Sequence, residues 1–190
     1  MSIVVLGVNH KSAPIDVIER VAITGEAMTK ALHGIVTRDN VRETVVLSTC
    51  NRTEVYVVAE KFHGAFADVR DFFCEQSGLS VDELLPHFYS QHDDAAVTHL
   101  FEVASGLDSA VLGETEILGQ VKDAWEIART ESTARTSLNL LFRHALEVGK
   151  RARTETSISK STTSVSHAAV EMATDILGSL SDRRVLVIGA

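Results

Sequence analysis

A chain of 190 residues, of which 45% are hydrophobic and 23% are charged, is long enough to build a folded core, and this balance excludes a disordered or collagen-like protein. No apolar run reaches the roughly 18 residues that a membrane helix needs, and the first residues carry no basic leader, so we expect neither a membrane segment nor a signal peptide. Cys50 and Cys74 are too few for a secreted disulfide scaffold, which predicts a reducing, cytoplasmic location.

Acidic and basic residues are unevenly distributed, within a net charge of −8. Residues 60–94 contain eight acidic and two basic side chains, whereas residues 135–154 contain five basic side chains and one acidic one. The basic residues of the second segment are Arg135, Arg143, Lys150, Arg151 and Arg153. Such a segment forms either a solvated helix face or a surface for a polyanion, and composition leaves both interpretations open.

Residues 1–92 alternate between strand and helix patterns. Apolar runs of strand length and composition lie at 3–8, 41–49, 53–59 and 88–91. Helical spacing of apolar residues follows Pro14 and recurs at 26–36 and 62–77, and a Ser80-x-x-Glu83 capping box begins a further short helix. The order strand–helix–strand–strand–helix–strand is the split βαβ pattern of ferredoxin-like domains, so we predict an α+β fold with this domain first.

From residue 93 the pattern changes to successive helices. Apolar residues at helical spacing predict helices at 95–104, 114–130, 137–153 and 163–180. The chain ends on Val-Leu-Val-Ile-Gly189-Ala190, an apolar strand followed by glycine, which is how a Rossmann dinucleotide fold begins. We therefore predict a helical part at 93–156, a connecting helix at 157–182 and the first strand of a Rossmann domain at 183–190.

Cys50 follows an apolar strand, in the short connection before the next strand, and is followed by Asn51 and Arg52. A cysteine reacts as its thiolate, which a neighbouring cation favours. Arg52 can supply that cation, and N–H groups of the turn can stabilise an oxyanion. The alternative is an ordinary small apolar residue at a strand end, and position alone leaves it open. Cys74, in a helical stretch, is better suited to core packing.

The eight histidines show no metal-binding pattern. They lie at positions 10, 33, 63, 87, 92, 99, 144 and 167, and the chain contains neither an HExxH nor a CxxC motif. We therefore predict no metal site. His99 stands in a helix that leads into the polar segment 105–109, and a lone helical histidine is more often a packed or surface residue than a catalyst.

The segment 108–122 interleaves polar side chains with small apolar ones. Glu114 and Glu116 suit the first turn of a helix, where negative charge is favourable. Gly113 and Gly119 lie near this helix start, which indicates a close approach of a ligand or of another part of the backbone. The sequence does not distinguish these two explanations.

Four stretches together resemble the glutamyl-tRNA reductase family. They are Gly7–Pro14 (GVNHKSAP), Leu47–Glu54 (LSTCNRTE), Ala104–Lys122 and Arg151–Thr156 (RARTET). They occur in the family's order, and the resemblance covers essentially the whole chain. Members of this family consist of a catalytic N-terminal domain, an NADPH-binding Rossmann domain and a helical dimerisation domain. The resemblance implies that this chain is the first of these parts, followed by the beginning of the second.

The same resemblance implies a reaction in two steps on glutamyl-tRNA. Cys50 is similar to the family's nucleophile, which attacks the ester carbonyl and holds glutamate as a thioester. Hydride from NADPH then gives glutamate-1-semialdehyde, in the first step of tetrapyrrole (porphyrin) biosynthesis. His99 matches a position that the family needs for activity, where it would orient or protonate a group near the thioester.

The resemblance also implies which residues surround the substrate and the cofactor. The glutamate site would be lined by Thr49, Asn51, Arg52, Ser109, Glu114, Thr115, Glu116 and Gln120. Arg52 would pair with a substrate carboxylate, and Gly189 and Ala190 would begin the NADPH site. Many members have Glu-Pro-Gln where this chain has Glu114-Thr115-Glu116, a departure that affects the local geometry of the site rather than the reaction.

Partners follow from the resemblance as well. It implies glutamyl-tRNA as the substrate, a homodimer formed through a C-terminal domain beyond this chain, and the downstream aminomutase as a further partner. We expect contacts with the tRNA phosphates on four residues of the basic segment, namely Arg143, Lys150, Arg151 and Arg153.

Two other classes of protein compete with this interpretation. A non-catalytic tRNA-binding or regulatory module would need the basic segment but would not need Cys50. A cysteine hydrolase would use Cys50 and His99 as a dyad, but it has no use for a Rossmann strand. Continuation of the glycine pattern beyond Ala190 would distinguish a reductase from both.

Overall fold

A four-stranded sheet forms the centre of the fold in the computed structural model, which describes residues 2–158 and 165–186. The strands are β1 (Ser2–Asn9), β2 (Val41–Ser48), β3 (Arg52–Ala59) and β4 (Tyr89–His92). Their order across the sheet is β2-β3-β1-β4, and each neighbouring pair is antiparallel. Every residue of β3 is buried, and because side chains alternate between the two faces of a strand, both faces of the sheet are covered.

Three helices pack on one face of the sheet. They are α1 (Ile15–Val21), α2 (Glu26–Val36) and α3 (Phe62–Ser77). Helix α3 contacts β1 and β3, and α2 contacts β2. Their buried apolar side chains recur at helical spacing and include Leu32, Ile35, Val69 and Phe73. Helix α3 ends at Gly78, whose φ of 67° is a left-handed conformation that glycine adopts without strain.

A short segment then leads to the sheet edge through α4 (Val81–Leu84) and a 3-10 turn. The predicted capping box is confirmed, because the Ser80 N–H donates to the Glu83 carboxylate at 2.8 Å and the Ser80 hydroxyl accepts from the Glu83 N–H at 3.4 Å. Strand β4 pairs with β1 in a register that places Tyr89 opposite Gly7. Tyr89 is thereby brought beside the middle of the sheet.

The other face of the sheet is covered by helices from the second half of the chain. They are α5 (Asp94–Ser105), α6 (Glu116–Thr130) and α7 (Thr136–Glu155), and α8 (Val165–Leu177) follows them in the chain. Tyr56 of β3 meets Phe142 of α7 edge to face, with ring centroids 5.3 Å apart. Because side chains alternate along a strand, Arg52 and Glu54 point to the same side as Tyr56.

Buried Glu43 joins the sheet to the start of α7. Its carboxylate accepts hydrogen bonds from the backbone N–H groups of Arg135 at 2.9 Å, Ser137 at 3.1 Å and Leu138 at 2.9 Å. The first N–H groups of a helix have no partner within the helix, and the helix dipole favours a negative charge beside them. A carboxylate from β2 therefore fixes the point at which α7 begins.

Glu43→Gln should lower the free energy of unfolding by about 2 kcal/mol, because the amide loses the charge and turns an NH₂ group toward backbone donors. Urea unfolding at pH 7 measures the change. Glu26→Gln is the matched control, because Glu26 is exposed in the first turn of α2 and its replacement should cost only about 0.5 kcal/mol. Equal effects of the two substitutions would contradict this role of Glu43.

The structure confirms the predicted order of elements, with boundaries within two residues for all four strands and for α5–α7. The protein is therefore a mixed helix-and-sheet fold, as predicted. Residues 183–186 form neither helix nor strand, and residues 187–190, including Gly189 and Ala190, lie outside the described range. The Rossmann strand stays a prediction. None of the described helices is both long enough and apolar enough to cross a bilayer.

Candidate active site

Cys50 lies exposed on the turn between β2 and β3. The Thr49 N–H donates to the Arg52 carbonyl at 2.8 Å, and the Asn51 N–H donates to Thr49 Oγ1 at 3.2 Å, so the turn closes tightly around the cysteine. The His10 N–H donates to the Asn51 carbonyl at 3.0 Å, which attaches the turn to the end of β1. The thiol is therefore carried by a hydrogen-bonded turn and is exposed to solvent.

Cys74 is partly buried on α3 and packs against the hydrophobic core, as predicted. Burial raises the pKa of the Cys74 thiol, and the nearby Asp71 carboxylate raises it further. A raised pKa leaves less thiolate at neutral pH. Cys50 is therefore the better candidate for a reactive thiol, because it is exposed.

Arg52 is almost fully buried, with 1% of its side chain exposed, although it lies two residues after Cys50. Its Nη1 donates to Glu54 Oε1 at 2.7 Å and to Asp108 Oδ2 at 3.0 Å, and its Nη2 donates to the Asp108 backbone carbonyl. Burial by itself would lower the pKa of Arg52, but the carboxylates of Glu54 and Asp108 outweigh burial and raise the pKa. Arg52 is a fixed positive charge beneath the turn.

Glu54 has no exposed side-chain surface and accepts several hydrogen bonds. The Tyr56 hydroxyl donates to Oε2 at 2.5 Å, the Tyr89 hydroxyl donates to Oε1, and His99 Nε2 lies 2.9 Å from Oε1. Burial by itself would raise the pKa of Glu54, but the hydrogen bond with His99 and the charge of Arg52 hold the pKa well below its ordinary value. The carboxylate therefore stays ionised at neutral pH.

Gly7 makes room for this arrangement on the neighbouring strand. In the sheet register Gly7 pairs with Glu54 on one side and with Tyr89 on the other. A Cβ atom at position 7 would lie 2.8 Å from Glu54 Cγ and 2.9 Å from Tyr89 Oη, closer than real Cβ contacts. Glycine at this position therefore lets a glutamate and a tyrosine from two different strands meet above β1.

Asp108 reaches Arg52 from the loop between α5 and α6. The Lys11 ammonium also donates to the Asp108 carboxylate. Burial by itself would raise the pKa of Asp108, but the hydrogen bond from Lys11 and the charge of Arg52 lower it. The loop begins at Gly106, with a φ of 78°, and the Gly113 N–H donates to the Gly106 carbonyl at 2.9 Å. We call the following residues the buried cluster: Arg52, Glu54, Tyr56, Tyr89, His99 and Asp108.

Two buried polar atoms near this cluster have no hydrogen-bond partner within the described residues, namely Ser109 Oγ and His10 Nδ1. Burial lowers the pKa of His10, and the charges of Arg52 and Lys11 lower it further, so its ring is neutral at pH 7. Buried polar atoms are normally hydrogen-bonded, and a ligand is one way to satisfy them. Ser109 was predicted to line the substrate site, whereas His10 was not singled out.

The remaining predicted substrate residues lie around the start of α6. Thr115 is the N-cap of α6 and Glu116 its first residue, and both are exposed. Glu116 and Gln120 make no side-chain hydrogen bond within the part of the chain that the structure describes. Glu114 contributes its carbonyl, which accepts from Arg153 Nη2 at 2.9 Å. No described side-chain contact joins these residues to the buried cluster.

His99 extends from α5 into the buried cluster. Its Nε2 faces Glu54, and no hydrogen bond in the described residues joins its ring to Cys50. Within the same residues, no three His, Cys, Asp or Glu side chains are grouped so that they could hold a metal ion.

Sequence reasoning missed four members of the buried cluster and one residue at its rim: Glu54, Tyr56, Tyr89 and Asp108, and Lys11. The spacing Arg52-x-Glu54 was a usable signal, because opposite charges two residues apart on a strand share one face. Asp108 and Tyr89 carry no comparable signal, since each meets β3 only through the tertiary fold. Lys11 was visible inside the motif Gly7–Pro14, which begins in β1, but its role depends on Asp108.

Fold and site together define a class of protein: a mixed helix-and-sheet domain with an exposed cysteine on the turn that leads into a buried ion-pair cluster. The family model described as "Glutamyl-tRNAGlu reductase, N-terminal domain" matches residues 6–156. The glutamyl-tRNA reductases of Geobacter metallireducens and Bacillus subtilis are 45% and 44% identical over 190 residues, which is 100% of this chain. The glutamyl-tRNA reductase structure from Methanopyrus kandleri matches 99% of the chain with a TM-score of 0.71 and 37% identity.

The chain therefore belongs to the glutamyl-tRNA reductase family. It spans 44% of the Geobacter metallireducens protein, 42% of the Bacillus subtilis protein and 43% of the Methanopyrus kandleri chain. The sequence thus corresponds to less than half the length of these relatives, and it matches the model of their N-terminal domain.

Proposed function

We propose that this chain is the glutamate-accepting part of an NADPH-dependent glutamyl-tRNA reductase, which forms glutamate-1-semialdehyde for tetrapyrrole biosynthesis. Membership of the family supports the reaction. The observation that carries the assignment is the exposed Cys50 on the β2–β3 turn, two residues before the buried charge of Arg52. Because the described residues contain this thiol, the acyl-transfer step is the one that we derive for them.

The proposed step transfers glutamate from an oxygen ester to the Cys50 thiol. The thiolate sulfur attacks the ester carbonyl carbon, a sulfur–carbon bond forms, and the bond from that carbon to the terminal ribose oxygen breaks. The thiol proton ends on the released ribose hydroxyl, so no oxidant or reductant is consumed. An exposed thiol suits this step, because the carrier of the glutamyl group is a whole tRNA.

His99 is our candidate for moving the proton. Its Nε2 lies 2.9 Å from Glu54 Oε1, and a buried carboxylate at this distance fixes the orientation of the ring. The ring can therefore hold a proton taken from the thiol until the ribose oxygen leaves. In this proposal Glu54 acts through His99 and Arg52 and does not contact the substrate.

Arg52 remains our candidate for binding a carboxylate of the glutamyl group, because a planar guanidinium matches a carboxylate with two parallel hydrogen bonds. Glu54 is fully buried, whereas Asp108 belongs to a partly exposed loop, so an incoming carboxylate would replace Asp108. Ser109 Oγ, the unpartnered atom next to Asp108, would then bond the substrate. The other candidate substrate residues are Thr49, Asn51, Glu114, Thr115, Glu116 and Gln120.

NADPH would supply a hydride to the thioester in the whole enzyme. Its pyrophosphate needs a glycine-rich turn after a strand and the N-terminus of the following helix. Residues 2–158 and 165–186 contain no such turn, and Gly189 and Ala190 lie outside them. The described residues therefore do not form an NADPH site, and we derive no hydride step for this chain.

Further assignments for the whole protein rest on the family resemblance. They are a cytoplasmic location, a homodimer through a C-terminal domain, contact with the downstream aminomutase, and domain divisions at 1–92, 93–156, 157–182 and 183–190. A ferredoxin-like class for the first of these domains is supported by the strand order β2-β3-β1-β4.

Limiting iodoacetamide at neutral pH should label Cys50 at least about tenfold faster than Cys74, because Cys74 is partly buried and has a raised pKa. Prior incubation with glutamyl-tRNA should protect Cys50 and leave a glutamyl group on its peptide, which mass spectrometry detects. Uncharged tRNA is the control, because it can cover Cys50 by binding but carries no glutamyl group to transfer. It should therefore leave no adduct. Faster labelling of Cys74, or a glutamyl group found there, would overturn the assignment of the nucleophile.

A further inference from the structure

A surface groove runs between α6 and α7, on the helical side of the molecule. It consists of two adjoining cavities of about 450 Å³ and 460 Å³, and both are lined by Trp125 and Arg143. We call it the α6–α7 groove, defined by Lys122, Trp125, Arg129, Arg143, Leu146 and Lys150. One end reaches Thr115, where the loop that carries Asp108 enters α6.

Four cations line the groove in two matched pairs. Lys122 and Arg129 are seven residues apart on α6, and Arg143 and Lys150 are seven residues apart on α7. Seven residues are about two helical turns, so each pair lies on one face of its helix at a separation of about 10 Å. Two helices thus present positive charge to the same opening at two levels.

Acidic side chains do not cancel this charge. Glu147 is the one carboxylate among the residues that line the two cavities, against four cations, and its Oε2 lies 3.2 Å from His144 Nδ1. Glu126 lies 3.5 Å from Lys122, in an exposed pair of little strength. Arg143 and Lys150 have no ion pair or side-chain hydrogen bond within the described residues. The groove therefore has a net positive charge on a chain whose net charge is −8.

Trp125 is the only tryptophan of the chain and is only partly buried. Its Nε1 donates to Asn139 Oδ1 at 2.8 Å, which fixes the ring, and the Arg129 guanidinium lies over the ring at 5.0 Å from its centroid. The ring packs against the hydrophobic core and also forms the wall shared by both cavities. A fixed indole paired with a guanidinium is a flat surface on which a base can stack.

The basic segment predicted from the sequence contributes to the groove only in part. Arg153 turns inward, where its Nη1 donates to the Ala104 carbonyl at 2.8 Å. Arg151 pairs with Glu155 through its Nε at 3.0 Å. Neither residue is among those that line the two cavities, so their contact with tRNA phosphates stays a prediction. Helix α6 provides two cations that the sequence interpretation did not include.

We propose that the α6–α7 groove binds the RNA part of the substrate, with its four cations on phosphates and with Trp125 and Arg129 as a stacking surface for a base. This inference rests on the proposed function, since RNA is the carrier of the glutamyl group. Charge alone would suit an acidic protein segment equally well, but a fixed aromatic ring among cations favours RNA. The groove also leads at Thr115 into the loop that contacts Arg52, two residues from Cys50.

The test compares two variants of the 190-residue chain that lose the same charge. The groove variant carries Lys122→Gln, Arg129→Gln, Arg143→Gln and Lys150→Gln. The control variant carries Arg20→Gln, Lys30→Gln, Arg42→Gln and Lys61→Gln, at exposed positions elsewhere. Circular dichroism and thermal unfolding show that each variant is folded, and anisotropy of fluorescein-labelled, uncharged tRNAGlu gives its affinity at several salt concentrations.

The groove variant should bind at least about tenfold more weakly, and its slope of log affinity against log salt should fall by about three, because four phosphate contacts are lost. The control variant should change much less. In the parent chain, tRNAGlu should also quench the Trp125 fluorescence. Equal affinities of the two variants, an unquenched tryptophan, or displacement of tRNAGlu by poly-glutamate at equal charge would each overturn the proposal.

A second readout separates this inference from the proposed function. Glutamyl-adenosine carries the reacting ester on a single nucleoside, so it should acylate Cys50 equally well in the parent chain and in the groove variant. Intact acylation together with weakened tRNAGlu binding supports the groove. Loss of acylation in the groove variant alone would mean that these substitutions disturb the thiol site. That result would overturn the proposal that the α6–α7 groove binds RNA. A parent chain that is never acylated contradicts the proposed function. In that case the tRNAGlu affinities of the two variants still test whether the α6–α7 groove binds RNA.

Discussion

The 190-residue chain, mixed with glutamyl-tRNA and NADPH, should yield glutamyl-Cys50 protein and free glutamate, but no glutamate-1-semialdehyde. The acyl step needs only the Cys50 turn and the buried cluster, which the described residues contain. Hydride transfer needs a dinucleotide site, for which residues 2–158 and 165–186 provide no glycine-rich turn. Water should then slowly hydrolyse the thioester. Acyl transfer should therefore occur without any reduction.

Separation of labelled glutamate, semialdehyde and acylated protein measures the two steps in one experiment. Cys50→Ala should remove both the adduct and the release of glutamate above background, whereas Cys74→Ala should leave them unchanged. The appearance of semialdehyde would show that a cofactor site exists within this chain. Absence of deacylation in the parent chain would mean that the acyl step needs parts of the enzyme beyond these residues, or that Cys50 is not the nucleophile.

The elements of the fold were predictable because their signals are local. A run of apolar residues, the Ser80-x-x-Glu83 box and helical spacing each depend on neighbours a few residues away, and the structure confirms them. The position of Glu43 within β2 was predictable, but its function was not. Nothing in the sequence around Glu43 indicates that its partner is the start of a helix 92 residues later.

From local sequence alone the site was predictable only where its residues lie on one turn, and His99 and Ser109 came from the family resemblance. Cys50, Asn51 and Arg52 are adjacent in the sequence, so their proximity followed directly. The partners of Arg52 did not, because Asp108 is 56 residues away and meets it only after α5 has packed on the sheet. Sequence reasoning therefore assigned Arg52 to the substrate without its two internal partners, the carboxylates of Glu54 and Asp108, which a substrate carboxylate would have to join or replace.

Glu54→Gln should be among the most destabilising single substitutions in this protein. It removes a buried charge that pairs with Arg52 and accepts hydrogen bonds from Tyr56 and Tyr89, while Arg52 stays buried with Asp108 alone. Breaking a buried ion pair on one side costs about 3–5 kcal/mol, because the remaining charge is left poorly compensated. Urea unfolding at pH 7 should show a loss of this size, compared with almost none for Glu19→Gln, an exposed glutamate on α1.

The pH dependence of this loss identifies its cause. The pKa of Glu54 is about 2 in the folded protein, below the ordinary value of 4.5 that applies when the chain is unfolded. A carboxyl group with a lowered folded pKa stabilises the fold fully above its unfolded pKa, and this stabilisation disappears as the pH falls toward the folded pKa. The difference in unfolding free energy between the parent chain and Glu54→Gln should therefore be constant from pH 7 to about pH 5.5 and smaller at pH 3. A difference that is unchanged at pH 3 would mean that the substitution acts through packing and not through the charge of Glu54.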